Sequence, residues 1–228
     1  MLLSVIVPVR NERETLAPVL ERVRAVDVGM PKEIIVVDGA STDGTREMLL
    51  RDGRREDTLL VLEDAARGKG IAVRKGIQLA KGDIILIQDA DLELDPAEYP
   101  GLLRPILEDG AAAVYGSRFA RGRGEAGRIF YWGNRAVTGA LNLLFSARLT
   151  DIATCYKVFR AEAIRPIQLT CNGFDLDAEI TAELLKSGVE IVEVPVAYRP
   201  RSRAQGKKLG WSAGLRVLWA TVRCRFSS

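Results

Sequence analysis

The sequence predicts an α/β fold with a mostly parallel central sheet flanked by helices, and two observations carry that prediction. Short runs of large apolar residues recur at residues 3–7, 33–37, 59–62, 84–87, 112–115 and 191–196. Stretches with the apolar spacing of helices lie between them, and this alternation of β and α is the signature of a sheet covered on both sides. The run at 84–87 shows no polar alternation, as expected of a strand buried on both faces.

The elements follow in order. The start, Met1-Leu2-Leu3-Ser4-Val5-Ile6-Val7-Pro8, has no basic region or cleavage site, so it reads as the first strand and not as a removable leader. Leu16, Val19, Leu20 and Val23 share one helical face, and Asn11 with Glu14 three residues on has the form of a capping box that would open this helix. The second strand ends in a polar cluster from Asp38 to Thr45. The third region carries Arg67-Gly68-Lys69-Gly70 ahead of another helical pattern, and the fourth strand runs into Gln88-Asp89-Ala90-Asp91. Past residue 118 the pattern loosens, with Arg121-Gly122-Arg123-Gly124 marking a mobile loop. At the far end Trp211, Leu215, Leu218 and Val222 fall on one helical face, while Arg216 and Arg223 share another.

Composition bounds what this chain does. Its 228 residues, 47% hydrophobic and 28% charged, suit a single globular domain. There is no histidine, which excludes a Ser-His-Asp triad, a Cys-His nucleophile and any histidine-ligated metal. Three cysteines without metal-ligand spacing point to a reducing, cytoplasmic setting. The net charge of +3 is too small to argue for nucleic acid, although residues 118–135 and 199–225 are both rich in Arg and Lys.

Open α/β sheets place ligands beyond the carboxyl ends of their strands, so the polar strand ends should converge on one edge. Asp89 and Asp91 flank one small residue there, a seat for a hard divalent cation that would carry the phosphates of a nucleotide. Glu12 and Asp38 offer acceptors for a nucleobase and a ribose, and Lys69 offers charge to a phosphate. Taken singly, Glu12, Asp38 and Lys69 are more often cap or turn residues than ligands. The glycines match neither a Walker loop nor a dinucleotide fingerprint.

Taken in order, the motifs are more specific. Ile6-Val7-Pro8 with Asn11-Glu12, Val37-Asp38-Gly39-Ala40-Ser41-Thr42-Asp43-Gly44-Thr45, Gly68-Lys69-Gly70, Asp89-Ala90-Asp91 and Gly116-Ser117-Arg118 lead the series. Leu149-Thr150-Asp151-Ile152, Thr154-Cys155-Tyr156-Lys157, Glu193-Val194-Pro195-Val196 with Tyr198, and Arg201 ahead of Gly206-Lys207-Lys208 complete it. The chain resembles the family 2 inverting glycosyltransferases of GT-A fold, and within them the dolichol-phosphate mannosyltransferase-like, polyprenyl-phosphate branch.

That resemblance implies one GT-A catalytic domain over 1–228, with a nucleotide-sugar half (1–117), an acceptor half (118–208) and an amphipathic C-terminal helix (209–228). It implies that Pro8, Asn11, Glu12 and Asp38 hold the nucleoside, and that Asp89 and Asp91, with Glu93 nearby, bind Mg²⁺ or Mn²⁺ and the diphosphate. Arg118, Arg135 and Arg201 would meet the acceptor phosphate, with Lys207 and Lys208 close by. The expected reaction moves a hexose from a GDP-mannose or UDP-glucose type donor to a polyprenyl phosphate.

A phosphate acceptor needs no protein base, which agrees with a chain rich in arginine and without histidine. An acceptor hydroxyl would need one, and Asp177 in Phe174-Asp175-Leu176-Asp177-Ala178-Glu179 is the candidate; first-turn stabilisation of a helix is its plainer role. A non-catalytic nucleotide-sugar-binding or membrane-adaptor subunit is a further alternative. A lipid acceptor implies peripheral contact with the cytoplasmic face of a membrane. Residues 129–145 and 209–226 are the segments suited to it, alone or with a membrane-protein partner or a second copy of the chain.

Overall fold

A computed structural model describes residues 1–51, 55–201 and 211–226. Seven strands form one sheet. β1 (Leu3–Val9), β2 (Lys32–Asp38), β3 (Thr58–Leu62) and β4 (Ile84–Ile87) correspond to the first four predicted runs, while β5 (Ala113–Ser117) and β7 (Ile191–Pro195) correspond to the last two. Between these strands in sequence come α1 (Leu16–Ala25), α2 (Thr45–Arg51), α3 (Lys69–Leu79), α4 (Tyr99–Leu107), α5 (Arg128–Phe145), the short α6 (Ala161–Ile164) and α7 (Leu176–Lys186). α8 (Trp211–Phe226) closes the described chain.

The strand order is β3-β2-β1-β4-β6-β5-β7, where β6 spans Lys157–Arg160. β1 pairs in parallel with both β2 and β4, and every one of its residues is buried. Its apolar run Val5-Ile6-Val7 follows from that position, while the buried Ser4 is satisfied by Glu33 of β2. α3 lies so close to the sheet that a Cβ on Gly76 would come within 2.3 Å of Ile6 Cγ2.

Two expectations are corrected. β6 was not foreseen, and it runs antiparallel to both β4 and β5. It holds only two apolar residues, Val158 and Phe159, between Lys157 and Arg160, so it presents no apolar run. The capping box is also absent. α1 begins at Leu16 after Thr15, and Asn11 sits at φ 55° with its Oδ1 accepting from Thr42 N at 2.8 Å. Asn tolerates that left-handed backbone better than most residues. Its side chain therefore ties the β1 loop to the β2 loop instead of opening a helix.

Among the described residues, no helix is long and apolar enough to cross a membrane.

Candidate active site

β1 leads to β2 and β3 on one side, while β4 lies on its other side. The loops leaving β1 and β4 thus diverge, which opens a crevice at the carboxyl ends of the strands. A cavity of about 340 Å³ occupies that place. Pro8 to Glu12 form one wall, Asp89 to Asp91 with Glu93 the floor, and Lys69, Arg118, Phe130, Phe174, Asp177, Tyr198 and Arg201 the far side.

The Asp89-Ala90-Asp91 turn is held from below. Gln88 Nε2 donates to Asp89 O at 2.9 Å, and Gln88 Oε1 accepts from the hydroxyls of Tyr99 and Tyr156, each at 2.9 Å. From the β1 side, Thr15 Oγ1 donates to Ala90 O at 2.9 Å. A buried amide with its partners satisfied fixes geometry well, because breaking any one bond leaves a dry polar group.

Opposite charges are distributed along the floor. Lys69 Nζ is 2.7 Å from Asp89 Oδ1. Arg201 reaches Asp91 Oδ2 at 2.6 Å through Nη2 and Glu12 Oε2 at 2.9 Å through Nη1, while its backbone N–H donates to Glu93 Oε1 at 2.8 Å. Burial opposes the charge of Lys69, but Asp89, Cys155 and Asp177 together outweigh it and the ammonium pKa rises well above its ordinary value. Burial first, then the neighbouring charge of Asp89, pushes the Asp91 carboxyl up to about 7, with Glu93 adding to the effect and Arg201 opposing it. Four carboxylates, Glu12, Asp89, Asp91 and Glu93, thus share the floor with Lys69 and Arg201, while Arg10 and Arg118 line the cavity beside them.

Arg118 is set differently. Its Nε and Nη2 bind Asp151 at 2.6 and 2.8 Å, and Asp151 also accepts from Asn134 Nδ2 at 2.5 Å. Glu193 in turn accepts from the backbone N–H groups of Thr150 and Asp151 at 2.8 and 3.0 Å. The guanidinium carbon lies 5.3 Å from each of the ring centres of Phe119, Phe130 and Tyr198, within cation–π range. Burial works against this charge, yet Asp151 raises the Arg118 pKa above the arginine value.

Asp177 lines the cavity at the first turn of α7, where Lys157 Nζ meets its Oδ1 at 2.8 Å. Lys157 is fully buried and also donates to Ile152 O and Thr154 O.

Of the residues singled out from sequence, the cavity brings together Pro8, Asn11, Glu12, Lys69, Asp89, Asp91, Glu93, Arg118 and Arg201. Asp38 is fully buried and paired with Arg46 Nε at 2.6 Å; its neighbour Gly39 lines the cavity instead. Arg135 is exposed on α5 and away from the cavity lining. Lys207 and Lys208 lie outside the described residues. Sequence reasoning assigned no role to Gln88, Asp151, Glu193 or Lys157. The one available signal was the presence of Asp151, Lys157 and Glu193 inside the ordered motifs.

A divalent cation fits this floor. Carboxylate oxygens are the donors that Mg²⁺ and Mn²⁺ prefer, and Mg²⁺ commonly takes one or two protein carboxylates with substrate phosphates completing its shell. Among the described residues, no group of three acidic or Cys side chains is placed to hold a metal without such help.

The model of the family described as "Glycosyl transferase family 2" matches residues 4–167. The chain belongs to that family. It is 33% identical over 199 residues to glycosyltransferase AglJ of Haloferax volcanii, an alignment covering 86% of this chain and 63% of that protein. It is 28% identical to the dolichol-phosphate mannosyltransferase of Pyrococcus furiosus, covering 92% of this chain and 60% of that one. The undecaprenyl-phosphate mannosyltransferase of Micrococcus luteus is 30% identical, with 95% of this chain and 91% of that protein aligned. The chain therefore spans less than two thirds of the first two relatives and most of the third.

Among solved structures, this family 2 chain superposes on glucosyl-3-phosphoglycerate synthase of Mycobacterium tuberculosis, crystallised with Mg²⁺ and UDP, with a TM-score of 0.75. That match covers 98% of this chain and 78% of the other at 22% identity, and it establishes the GT-A fold.

Proposed function

We propose that this protein transfers a hexose from a nucleoside diphosphate sugar to a polyprenyl phosphate at a membrane surface, with inversion at the sugar carbon. The observation that carries this reading is the state of the two candidate acceptor groups. Asp177, the carboxylate placed to act as a base, is neutralised by buried Lys157 at 2.8 Å, whereas Arg118 and Arg201 bring guanidinium groups to the cavity wall. An acceptor phosphate is already a nucleophile; it needs positive charge and orientation, not deprotonation. The names of the Pyrococcus and Micrococcus relatives support the same acceptor class.

In this reading Asp91 and Asp89 hold the cation, Mg²⁺ or Mn²⁺, which when bound neutralises the departing diphosphate. Pro8, Asn11 and Glu12 form the nucleoside wall, with Asp38 acting through Arg46 and the Gly39 turn. Lys69 offsets phosphate charge beside Asp89. Arg118 is oriented by Asp151 and Glu193 and, with Arg201, holds the acceptor phosphate in line. Arg135, Lys207 and Lys208 supply further positive charge toward the lipid head group. Most of the acceleration comes from positioning and fixed charge.

The test is a donor panel. Purified protein is incubated with GDP-mannose, UDP-glucose or UDP-N-acetylglucosamine, a short polyprenyl phosphate and Mg²⁺ or Mn²⁺. Organic-soluble labelled sugar should form with one donor, and Asp91→Asn should lower its rate by about a thousandfold or more. Nucleotide binding without any lipid product from the whole panel would overturn the reading.

A further inference from the structure

Residues 165–175, between α6 and α7, are neither helix nor strand, so side chains decide where this segment lies. Glu179 of α7 is 3% exposed and grips it firmly. Its Oε2 accepts from Thr170 N at 3.0 Å and Cys171 N at 2.8 Å, and its Oε1 accepts from Thr170 Oγ1 at 2.6 Å. Arg223 of α8 covers this carboxylate, with Nη2 3.2 Å from Glu179 Oε1, 3.2 Å from Thr170 Oγ1 and 3.0 Å from Cys171 Sγ. From the opposite side Arg74 of α3 donates to Leu169 O at 2.7 Å and to Asn172 Oδ1 at 2.6 Å. A buried carboxylate is stable where N–H donors and an opposite charge both meet it, and Glu179 has both.

The clamped segment meets the cavity at Lys69. Asn172 O accepts from Gly70 N at 2.8 Å in the first turn of α3, and a Cβ on Gly68 would collide with the same oxygen. Further along, the Phe174 ring lines the cavity with its centre 5.7 Å from Lys69 Nζ, within cation–π range. The backbone of Lys69 is thus flanked by two glycines that admit Asn172, while its ammonium has Phe174 and Asp89 for neighbours. A lysine side chain has many rotamers, and contacts of this kind select among them.

We propose that Glu179 and Arg223 are positioning residues for the donor diphosphate: they fix the 170–174 segment, and that segment fixes Lys69 beside Asp89. The inference rests on the reading above in which Lys69 offsets the charge of the donor phosphates. Neither Glu179 nor Arg223 lines the cavity, so both act through Asn172 and Phe174. Small displacements of a charged group are costly where it must meet a phosphate in one geometry. Removing the Arg223 guanidinium leaves Glu179 its N–H and O–H donors, so the segment loosens while the fold survives. A clamp that served stability alone would act without regard to Lys69, whereas a positioning clamp is felt through that side chain.

Two measurements on the full chain test this. Hydrogen exchange read by mass spectrometry follows the link itself: Arg223→Met should speed exchange across residues 68–73 by about tenfold, with α1 and α4 unchanged. Arg223→Lys keeps the charge and should restore much of the protection. Calorimetric titration with UDP and with GDP, each with Mn²⁺, follows the consequence. Arg223→Met should weaken whichever nucleotide binds by about three- to tenfold, and should weaken it no further in a Lys69→Met background. Arg74→Met loosens the same segment from α3 and should behave alike, which keeps the test independent of how well α8 tolerates substitution. Unchanged exchange at 68–73 in Arg223→Met overturns the proposal, as does an equal loss of nucleotide affinity with and without Lys69. If neither nucleotide binds the wild-type protein, the donor reading falls and the diphosphate role of the clamp falls with it. The exchange result then still decides whether Arg223 and Glu179 hold the Lys69 turn in place.

Discussion

Arg201 holds Asp91 and Glu12 at once, with Nη2 2.6 Å from Asp91 Oδ2 and Nη1 2.9 Å from Glu12 Oε2. A side chain of the protein thus supplies charge at the place where the proposed donor complex would bring a metal. The two cations compete for the same carboxylates. Arg201→Gln should therefore raise the affinity of the nucleotide-free protein for Mn²⁺ by about three- to tenfold, read by electron paramagnetic resonance titration. The same variant should raise KM for the acceptor phosphate. Unchanged Mn²⁺ affinity would mean that Arg201 and the metal do not share Asp91.

Gly70 is fixed by close backbone approach. A Cβ there would lie 2.4 Å from Cys171 O and 2.7 Å from Asn172 C, and its own N–H donates to Asn172 O at 2.8 Å. Gly70→Ala must push the 171–173 loop away from α3, and with it the support of Lys69. A loss of about 1–3 kcal/mol in urea unfolding is expected, together with weaker donor binding. A variant as stable and active as wild type would show that this loop moves freely.

Lys157 and Asp177 form a buried ion pair whose lysine is fully enclosed, and removing one partner strands the other. Lys157→Met should destabilise the fold by roughly 3–5 kcal/mol, whereas Lys157→Met/Asp177→Leu should recover most of that loss. Chemical denaturation of both variants measures the coupling. Asp177→Asn then separates the acceptor classes. Turnover on a lipid phosphate should change only a few-fold, while an enzyme acting on a hydroxyl would lose its base and fall about a hundredfold or more.

The cysteines should be poor nucleophiles. Burial, followed by the charge of Asp89, pushes the Cys155 thiol well above its ordinary value, and burial pushes Cys171 up to about 12 and raises Cys224. At pH 8 each therefore carries less thiolate than a free cysteine. Iodoacetamide at that pH should modify native protein slowly and urea-unfolded protein at all three sites, as counted by mass spectrometry. Rapid native alkylation would contradict the packing of these thiols.

What the sequence revealed divides along physical lines. β1, β2 and β4 were legible because burial on both faces writes a contiguous apolar run. β6 was not, because Lys157 is accommodated by Asp177 and by the carbonyls of Ile152 and Thr154, partners that only the folded chain brings together. Asp89 and Asp91 were legible from their chemistry and their place after a buried strand. The partnership of Asp38 with Arg46 depends on how α2 returns along the sheet, and the relay from Glu193 through Asp151 to Arg118 joins segments 33 to 43 positions apart. No local pattern encodes such distances.

β5 precedes residues 118–208, the proposed acceptor half, yet its strand partners are β6 and β7, not β4. The sheet therefore offers no seam at residue 117. A chimaera joined there would strand β5 away from its ladder partners, since α4 also leans on β5, β6 and β7. The nearest joint that keeps neighbouring strands together falls between β4 and α4, through Asp89, Asp91 and Glu93 themselves. Under the proposed function, donor and acceptor preferences are thus not separable cassettes, and recombining them means rebuilding the loop that carries Asp89, Asp91 and Glu93.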